Sequence, residues 1–474
     1  MTDTEIRNET PRSWWMLYAA AAASFLPALF FYYVGEEAIF PVSALEMWYH
    51  NEPVRRLLLG MDLQHNPLFT WLIIPLSALF GWDAMLVVTR GIAMASTVLT
   101  GVAVAGLAQF LYGNRIFSAV AAVVYLTLAD LFFYRGWLAY VDPLFGLLVF
   151  AAIAALWVAC ERRHAGWLAL ALLALTGAFL AKALTAYVFY AGAALVLLLR
   201  GHRRFLLSLP SLVLHAGALA LPLLWLRLFA ASRGQDARMF SEIITKLTPD
   251  NLVDYLLKLV AYPLETLLSL APAALIALWL LSRRRQFSRA ATDAHLLTAL
   301  LIVLVNYLPY WLAPHSHVRY LLPLYPLAGL VIARALWLSG GTALATIRRW
   351  VIALIVVKLL VMLIAFPLYQ QHYRGANYRQ VAQTIVARTT GYPLYSVNVS
   401  ASGLSVAAYI DTARLPQPPL VIPPAQWSQG FVIAYEPDPQ LGEIAEKYRL
   451  GGNDLYLLCR GAACTAQPAE GLRK

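Results

Sequence analysis

The chain has 474 residues, of which 61% are apolar and 13% charged, and its net charge is +11. A soluble protein of this size cannot bury so much apolar surface, so much of it must face lipid. The positive charge does not point to nucleic acid, because the arginines fall in short clusters between apolar runs, where lipid headgroups and the positive-inside rule place them. The three cysteines form no metal motif: Cys160 stands alone, and Cys459 and Cys464 lie near the C-terminus.

Residues 1–12 are polar, and the apolar run 13–33 is too long for the core of a cleaved signal, which makes it a first span. A long polar loop, 34–66, follows. The apolar stretch 67–82 is short for a crossing. Further apolar runs lie at 84–111, 116–134, 138–160, 166–181, 183–199, 205–229, 259–281, 295–313, 319–338 and 350–369. The clusters Arg115, Arg162-Arg163, Arg200 with Arg203-Arg204, Arg283 to Arg285 with Arg289, and Arg348-Arg349 all share the cytoplasmic side if 67–82 is re-entrant or interfacial. That gives about 11 full crossings, and about 12 or 13 if it crosses. The expected architecture is a polytopic α-helical membrane domain over 1–369 with a cytoplasmic N-terminus, followed by a small extracytoplasmic α/β domain over 370–474.

In this topology the unusual polar residues collect on the outer face: loop 34–66, Arg135 to Asp142, Lys182, loop 230–258, and the turn His315 to Arg319. Polar groups at membrane depth are costly and mark function. In the last hundred residues, 393–399, 431–436 and 454–459 read as strands, 404–410 and 439–449 as helices, and the proline-rich run 415–424 as a loop. Cys459 and Cys464 could pair in an oxidising compartment.

The loop opens with V-G-E-E-A-I-F-P-V-S-A-L-E-M-W and closes with Q-H-N-P-L-F-T-W-L. This order resembles the first outer loop of the GT-C glycosyltransferases of the ArnT and protein O-mannosyltransferase type. The resemblance continues through Arg90, Arg135 to Asp142, Ala181-Lys182-Ala183 and R-Y-L-L-P-L-Y-P at 319–326, and covers roughly 13–340. It implies a GT-C fold and an enzyme that takes a single sugar from a polyprenyl-phosphate donor on the outer face of a bacterial inner membrane. The sugar would pass, with inversion, to a lipid or glycolipid acceptor, less readily to a protein. By this resemblance Glu36 stands at the family's catalytic aspartate, with Glu37 sharing or taking the role of base. The plain alternative is an acidic pair in headgroup water.

The resemblance also assigns the cations. Arg319, Lys182, Arg90 and His65 would bind the donor phosphate, while Arg135, Asp142 and His317 would shape the site. Each has a bland counterpart. Arg135 could snorkel, Asp142 could cap the helix that begins at Pro143, Lys182 could steady a tight hairpin, and the His315–Arg319 turn could bind headgroups. Gln64-His65-Asn66-Pro67 lacks the acidic residue of the family's motif, which speaks against a metal site built on it. His315 and His317 are a weak zinc signal, and a divalent metal is left open. A flippase for a lipid-linked sugar would call for internal repeats, and none is visible. A ligase using polyprenyl diphosphate donors would not need the acidic pair.

Overall fold

The apolar runs fold as helices. The computed structural model describes residues 10–63, 66–229, 251–281 and 284–465. Among these, eight helices are long and apolar enough to cross a membrane, from Pro11–Phe30 to Gly341–His372. A ninth candidate is the pair Leu252–Ser269 and Ala273–Leu280, bent by 103° at its break. The run 259–281, expected as one span, is therefore broken; Pro272 sits at the break and has no N–H to continue the ladder. Three shorter apolar helices, Leu68–Phe80, Arg115–Leu126 and Ala165–Ala181, fall below that length, so the described residues hold eight or nine candidate spans against the roughly 11 to 13 crossings expected from sequence. Leu68–Phe80 would span about 20 Å at the helical rise, short of a hydrocarbon core of about 30 Å. This fits a segment that does not cross. Polar caps mark several starts: Asn114, Asp293 and Ser400 each accept a backbone N–H from the first turn of their helices.

The chain divides into two compact units. One comprises Met1–Leu26, Ala93–Trp137 and Val141–Leu359. Its core is Arg115–Leu126, whose side chains from Phe117 onward are all buried, packed against Pro11–Ala23 and Tyr325–Leu338. Gly329 makes the second contact close: a Cβ there would stand 3.2 Å from the Tyr125 backbone. Asp142–Arg162 and Ala165–Ala181 form a helical hairpin. By contrast Leu209–Phe229 exposes Leu212, Val213, Leu219 and Leu223, the surface of a helix solvated by lipid.

The other unit comprises Pro27–Ile92, Leu138–Tyr140 and Leu360–Lys474. The boundary expected at 369/370 falls inside the continuous helix Gly341–His372. Here helix Ile39–Tyr49 packs on Leu68–Phe80 and on Ala401–Arg414. A small antiparallel pair, β1 (Leu57–Leu58) and β2 (Met61–Asp62), follows it. Strands β3 (Leu394–Ser396), β4 (Gly430–Ala434), β5 (Glu443–Leu450) and β6 (Asn453–Arg460) form a sheet in the order β3-β4-β6-β5, with β3 and β4 parallel and the rest antiparallel. The expected helix at 439–449 is thus corrected to strand β5. Tyr448 and Leu450 alternate into the sheet's buried face, and Gly451-Gly452 turn the chain directly into β6. Helix Tyr378–Arg388 was not expected, although Tyr378, Val381, Ala382 and Ile385 recur at helical spacing and are its buried side. Cys459 and Cys464 form a disulfide.

Candidate active site

The two adjacent glutamates have separate fates. Gly35 precedes them with φ +57°, a left-handed turn that suits glycine, and a Cβ there would come within 3.0 Å of the Tyr140 hydroxyl. Beyond the turn Glu37 is fully buried. Its Oε1 accepts Arg90 Nε at 2.9 Å and the Ala139 N–H at 2.7 Å; its Oε2 accepts Arg90 Nη2 at 2.5 Å and the Val34 N–H at 2.8 Å. These four bonds fill the carboxylate's acceptor positions. Arg90, also fully buried, gives its remaining N–H groups to the carbonyls of Ala28, Phe31 and Tyr32 at 2.6, 2.7 and 2.9 Å. All five guanidinium N–H groups are used within the protein. The expectation that Arg90 binds a donor phosphate is corrected here: it ties the loop to its helix and has no N–H left to offer.

Glu36 stands beside this knot and is exposed. Its backbone N–H donates to the Tyr140 hydroxyl at 3.4 Å, and its carboxylate has no partner among the described residues. Of the pair, Glu36 alone keeps lone pairs available to a substrate.

Three buried polar residues of the same unit escaped the sequence reading. Glu46 lies in helix Ile39–Tyr49 and accepts the N–H groups of Leu59 and Gly60 at 2.6 and 3.0 Å, pinning the turn between β1 and β2. Burial pushes its carboxyl up to about 7, against the pull of those two bonds. Asp411, in Ala401–Arg414, accepts the Leu420 N–H at 2.7 Å; burial first, then the charge of Glu46, push it up to about 8. The pinned turn is held a second time, by the Ile422 N–H on the Leu59 carbonyl at 3.0 Å. Arg56 is buried as well, its guanidinium 4.9 Å from the Phe40 ring centre. A lone acid within the apolar run I-F-P-V-S-A-L-E-M-W was the available signal for Glu46.

In the first unit a second set gathers. Asp142 opens helix Asp142–Arg162 but caps nothing; its carboxylate pairs with Lys182, the residue that ends Ala165–Ala181. Lys182 Nζ also lies 5.6 Å from the ring centres of both Phe145 and Tyr320. Arg319 is exposed, stacks over Tyr320 at 5.2 Å, donates to its hydroxyl at 3.3 Å, and its field reaches Asp142. Tyr320 is thus flanked by two cations, a role not read from the sequence. Arg135 pairs with Asp130 at 2.9 Å, and the Tyr325 hydroxyl donates to the same carboxylate at 3.0 Å. His317 is exposed, 6.1 Å from the Tyr320 ring. Lys258 donates to the carbonyls of Tyr310 and Ala313 at 2.9 and 2.8 Å, capping helix Ala294–Leu312. His65 and residues 230–250 lie outside the described residues. Among the described residues no group of three or more His, Cys, Asp and Glu side chains could hold a metal ion.

A set of apolar helices long enough to cross a membrane, an acid-bearing loop after the first of them and a small terminal sheet define the class as a polytopic membrane protein with a small sheet domain. The structure of ArnT from Cupriavidus metallidurans bound to undecaprenyl phosphate matches 96% of this chain and 99% of its own, with a TM-score of 0.68 at 16% identity. The apo state of the same protein matches 97% and 99%, with a TM-score of 0.65 at 17% identity. The family model described as dolichyl-phosphate-mannose-protein mannosyltransferase matches residues 64–226. No curated protein matches the chain by sequence. The likeness is one of fold: the chain has a GT-C type fold like that of the Cupriavidus protein.

Proposed function

We propose that this protein is a membrane glycosyltransferase that takes a sugar from a polyprenyl-phosphate donor and transfers it, with inversion, to a lipid or glycolipid acceptor on the outer face of a bacterial inner membrane. The observation that carries the reading is the division of labour between the glutamates: Glu37 is saturated and buried, and Glu36 is exposed with its carboxylate unpartnered among the described residues. Support comes from the shared fold, from the family model over 64–226, and from the undecaprenyl phosphate bound by the Cupriavidus protein.

In this reading Glu36 takes the proton of the acceptor hydroxyl as that oxygen attacks the anomeric carbon. The bond from the anomeric carbon to the phosphate oxygen breaks, and the polyprenyl phosphate leaves with the electron pair. Lys182 and Arg319 stabilise the charge that grows on the phosphate, Lys182 as a point charge and Arg319 through its fork. Asp142 holds the ammonium of Lys182 in place, and Arg135 and His317 shape the surroundings. Glu37 is a positioning residue: its bonds to Val34 and Ala139 fix the backbone on which Glu36 is carried.

The test is transfer by the purified protein in lipid with a panel of polyprenyl-phosphate sugars and lipid acceptors. Turnover of one donor, with undecaprenyl phosphate as the second product, is the expected result. Activity with sugar diphosphate lipids alone would transfer the protein to the ligase class. Binding and movement of donor lipid across a vesicle bilayer, with no transfer to any acceptor, would make it a transporter.

A further inference from the structure

In the terminal sheet domain two helices end in turns that line one cavity. Tyr378–Arg388 runs into a turn closed by the Tyr392 N–H on the Thr389 carbonyl at 3.1 Å and reversed at Gly391, φ +86°. Ala401–Arg414, packed against it, ends in a turn closed by the Gln417 N–H on the Arg414 carbonyl at 2.8 Å. The cavity between these turns has a volume of about 230 Å³. Drug-sized pockets begin at roughly 300 Å³, and this one is of the size of a single sugar ring.

Among the described residues that line it, Arg414 is the one that carries a charge. Its guanidinium is half-buried and donates once, from Nε to Gln417 Oε1 at 3.1 Å. Nη1 is enclosed without a partner, and Nη2 makes no hydrogen bond among the described residues. The acid that acts on Arg414 is Asp411, one turn back on the same helix. Burial pushes Asp411 up to about 8, so at neutral pH it is mostly protonated and leaves Arg414 uncompensated. The carbonyls of the two helix ends are by contrast engaged. The Thr390 hydroxyl is shared between those of Val386 and Ala387, each at 3.1 Å, and the Thr412 hydroxyl between those of Ala408 and Tyr409 at 3.2 and 3.1 Å. What the cavity lacks is a negatively charged acceptor.

The rest of the wall suits a sugar. Gln417, its Oε1 taken by Arg414, keeps its amide N–H groups to donate, and the Thr390 oxygen keeps lone pairs to accept. The Tyr392 ring, set edge-on to Phe431 at 6.0 Å, and Pro416 supply carbon surface. One positive charge in an otherwise neutral wall matches a carboxylate, whereas the dianion of a phosphate monoester calls for a second cation.

From this we propose that the cavity binds a sugar acid of the uronate class, with Arg414 on its carboxylate and Gln417 and Thr390 on its hydroxyls. The site goes beyond the glycosyltransferase reading and does not rest on it, since Glu36, Lys182 and Arg319 have no part in it. The uronate has two sources: the free sugar acid, or a glycolipid that ends in one.

The experiment uses the full chain in lipid nanodiscs as wild type, Arg414→Met and Ala413→Phe. Ala413 lines the cavity from an exposed helical position, so the larger side chain fills the space while Arg414 stays. D-glucuronate, D-galacturonate, the neutral methyl ester of glucuronate and inorganic phosphate are titrated by saturation-transfer NMR. A glucuronosyl diacylglycerol placed in the nanodisc is read by the rise in Tm it brings, and ligand-free Tm is measured alongside. Wild type is expected to bind a uronate at least about tenfold more tightly than the methyl ester or phosphate, and both substitutions to weaken it about tenfold or more. Ligand-free Tm of Ala413→Phe stays near wild type. Binding of free uronate assigns the soluble source; a Tm rise with the glycolipid alone, lost in both variants, assigns the lipid-linked one. Absence of binding to every uronate probe overturns the proposal, as does binding that neither substitution weakens. Phosphate bound as tightly as uronate would make this a general anion site and overturn the sugar assignment. A lowered ligand-free Tm in Arg414→Met with uronate binding kept in Ala413→Phe also overturns it, and would make Arg414 a charge that steadies its helix end.

Discussion

The Glu37–Arg90 pair and the Asp142–Lys182 pair are both ion pairs between a sequence-predicted acid and a sequence-predicted cation, and they differ in what remains unused. The first is dry and saturated, with both side chains at 0% exposure. The second keeps 21% of the Lys182 side chain and 17% of the Asp142 side chain exposed. Lys182 has three donors, and one acceptor is assigned to it. A pair with every bond made internally can only support architecture, whereas a pair with donors to spare can also meet a ligand. In the proposed reading, saturation, more than charge or position in the loop, separates scaffold from chemistry.

The sharpest way to break that comparison is Arg90→Met. It strands the Glu37 carboxylate in a buried site, and loss of one partner from such a pair costs about 3–5 kcal/mol. Thermal unfolding in detergent should show a large fall in Tm, and an unchanged Tm would mean the knot is not structural. Lys182→Met should cost less stability, because its pair is partly solvated, and should weaken binding of undecaprenyl phosphate by roughly tenfold to a hundredfold. A Tm loss equal to that of Arg90→Met with unchanged affinity would erase the distinction between the two pairs.

A smaller effect concerns pH. The carboxyl of Glu46 is raised from 4.5 to about 7, so the folded state holds its proton more tightly than the unfolded chain does. Its contribution to stability is complete below about 4.5 and is lost as pH rises to about 7. Asp411, raised from 3.8 to about 8, acts in the same direction over a range that extends further up. Glu46→Gln should flatten the lower part of the stability-against-pH curve in denaturant titrations, leaving the fall due to Asp411. A Glu46→Gln curve superposable on wild type would place the titration elsewhere.

The fold was largely legible because membrane spans announce themselves by length and hydropathy, and loop 34–66 announced itself by interrupting them. What the sequence could not supply was the partner of each charge. Arg90 and Glu37 are 53 positions apart, and neither apolar periodicity nor cluster counting shows that they consume each other. Lys182 and Asp142 were both singled out, but as separate candidates. Arg56 sits beside Arg55 in the sequence and neither was singled out; in the structure Arg55 reaches Asp62 and Arg56 turns inward. The helix expected at 439–449 failed for a local reason: E-I-A-E-K-Y-R-L serves either pattern, and the glycine pair after it, with β6 as partner, decided for a strand.

The most direct test of the central claim is a comparison of Glu36→Gln with wild type in lipid, measuring sugar transfer, donor affinity and Tm on the same preparations. Removal of the base while its backbone stays fixed should lower transfer by about a hundredfold to ten-thousandfold, with donor affinity and Tm close to wild type. Transfer at the wild-type rate with Glu36 neutralised would contradict the account, because the one carboxylate left open in the acidic pair would then have no part in the reaction.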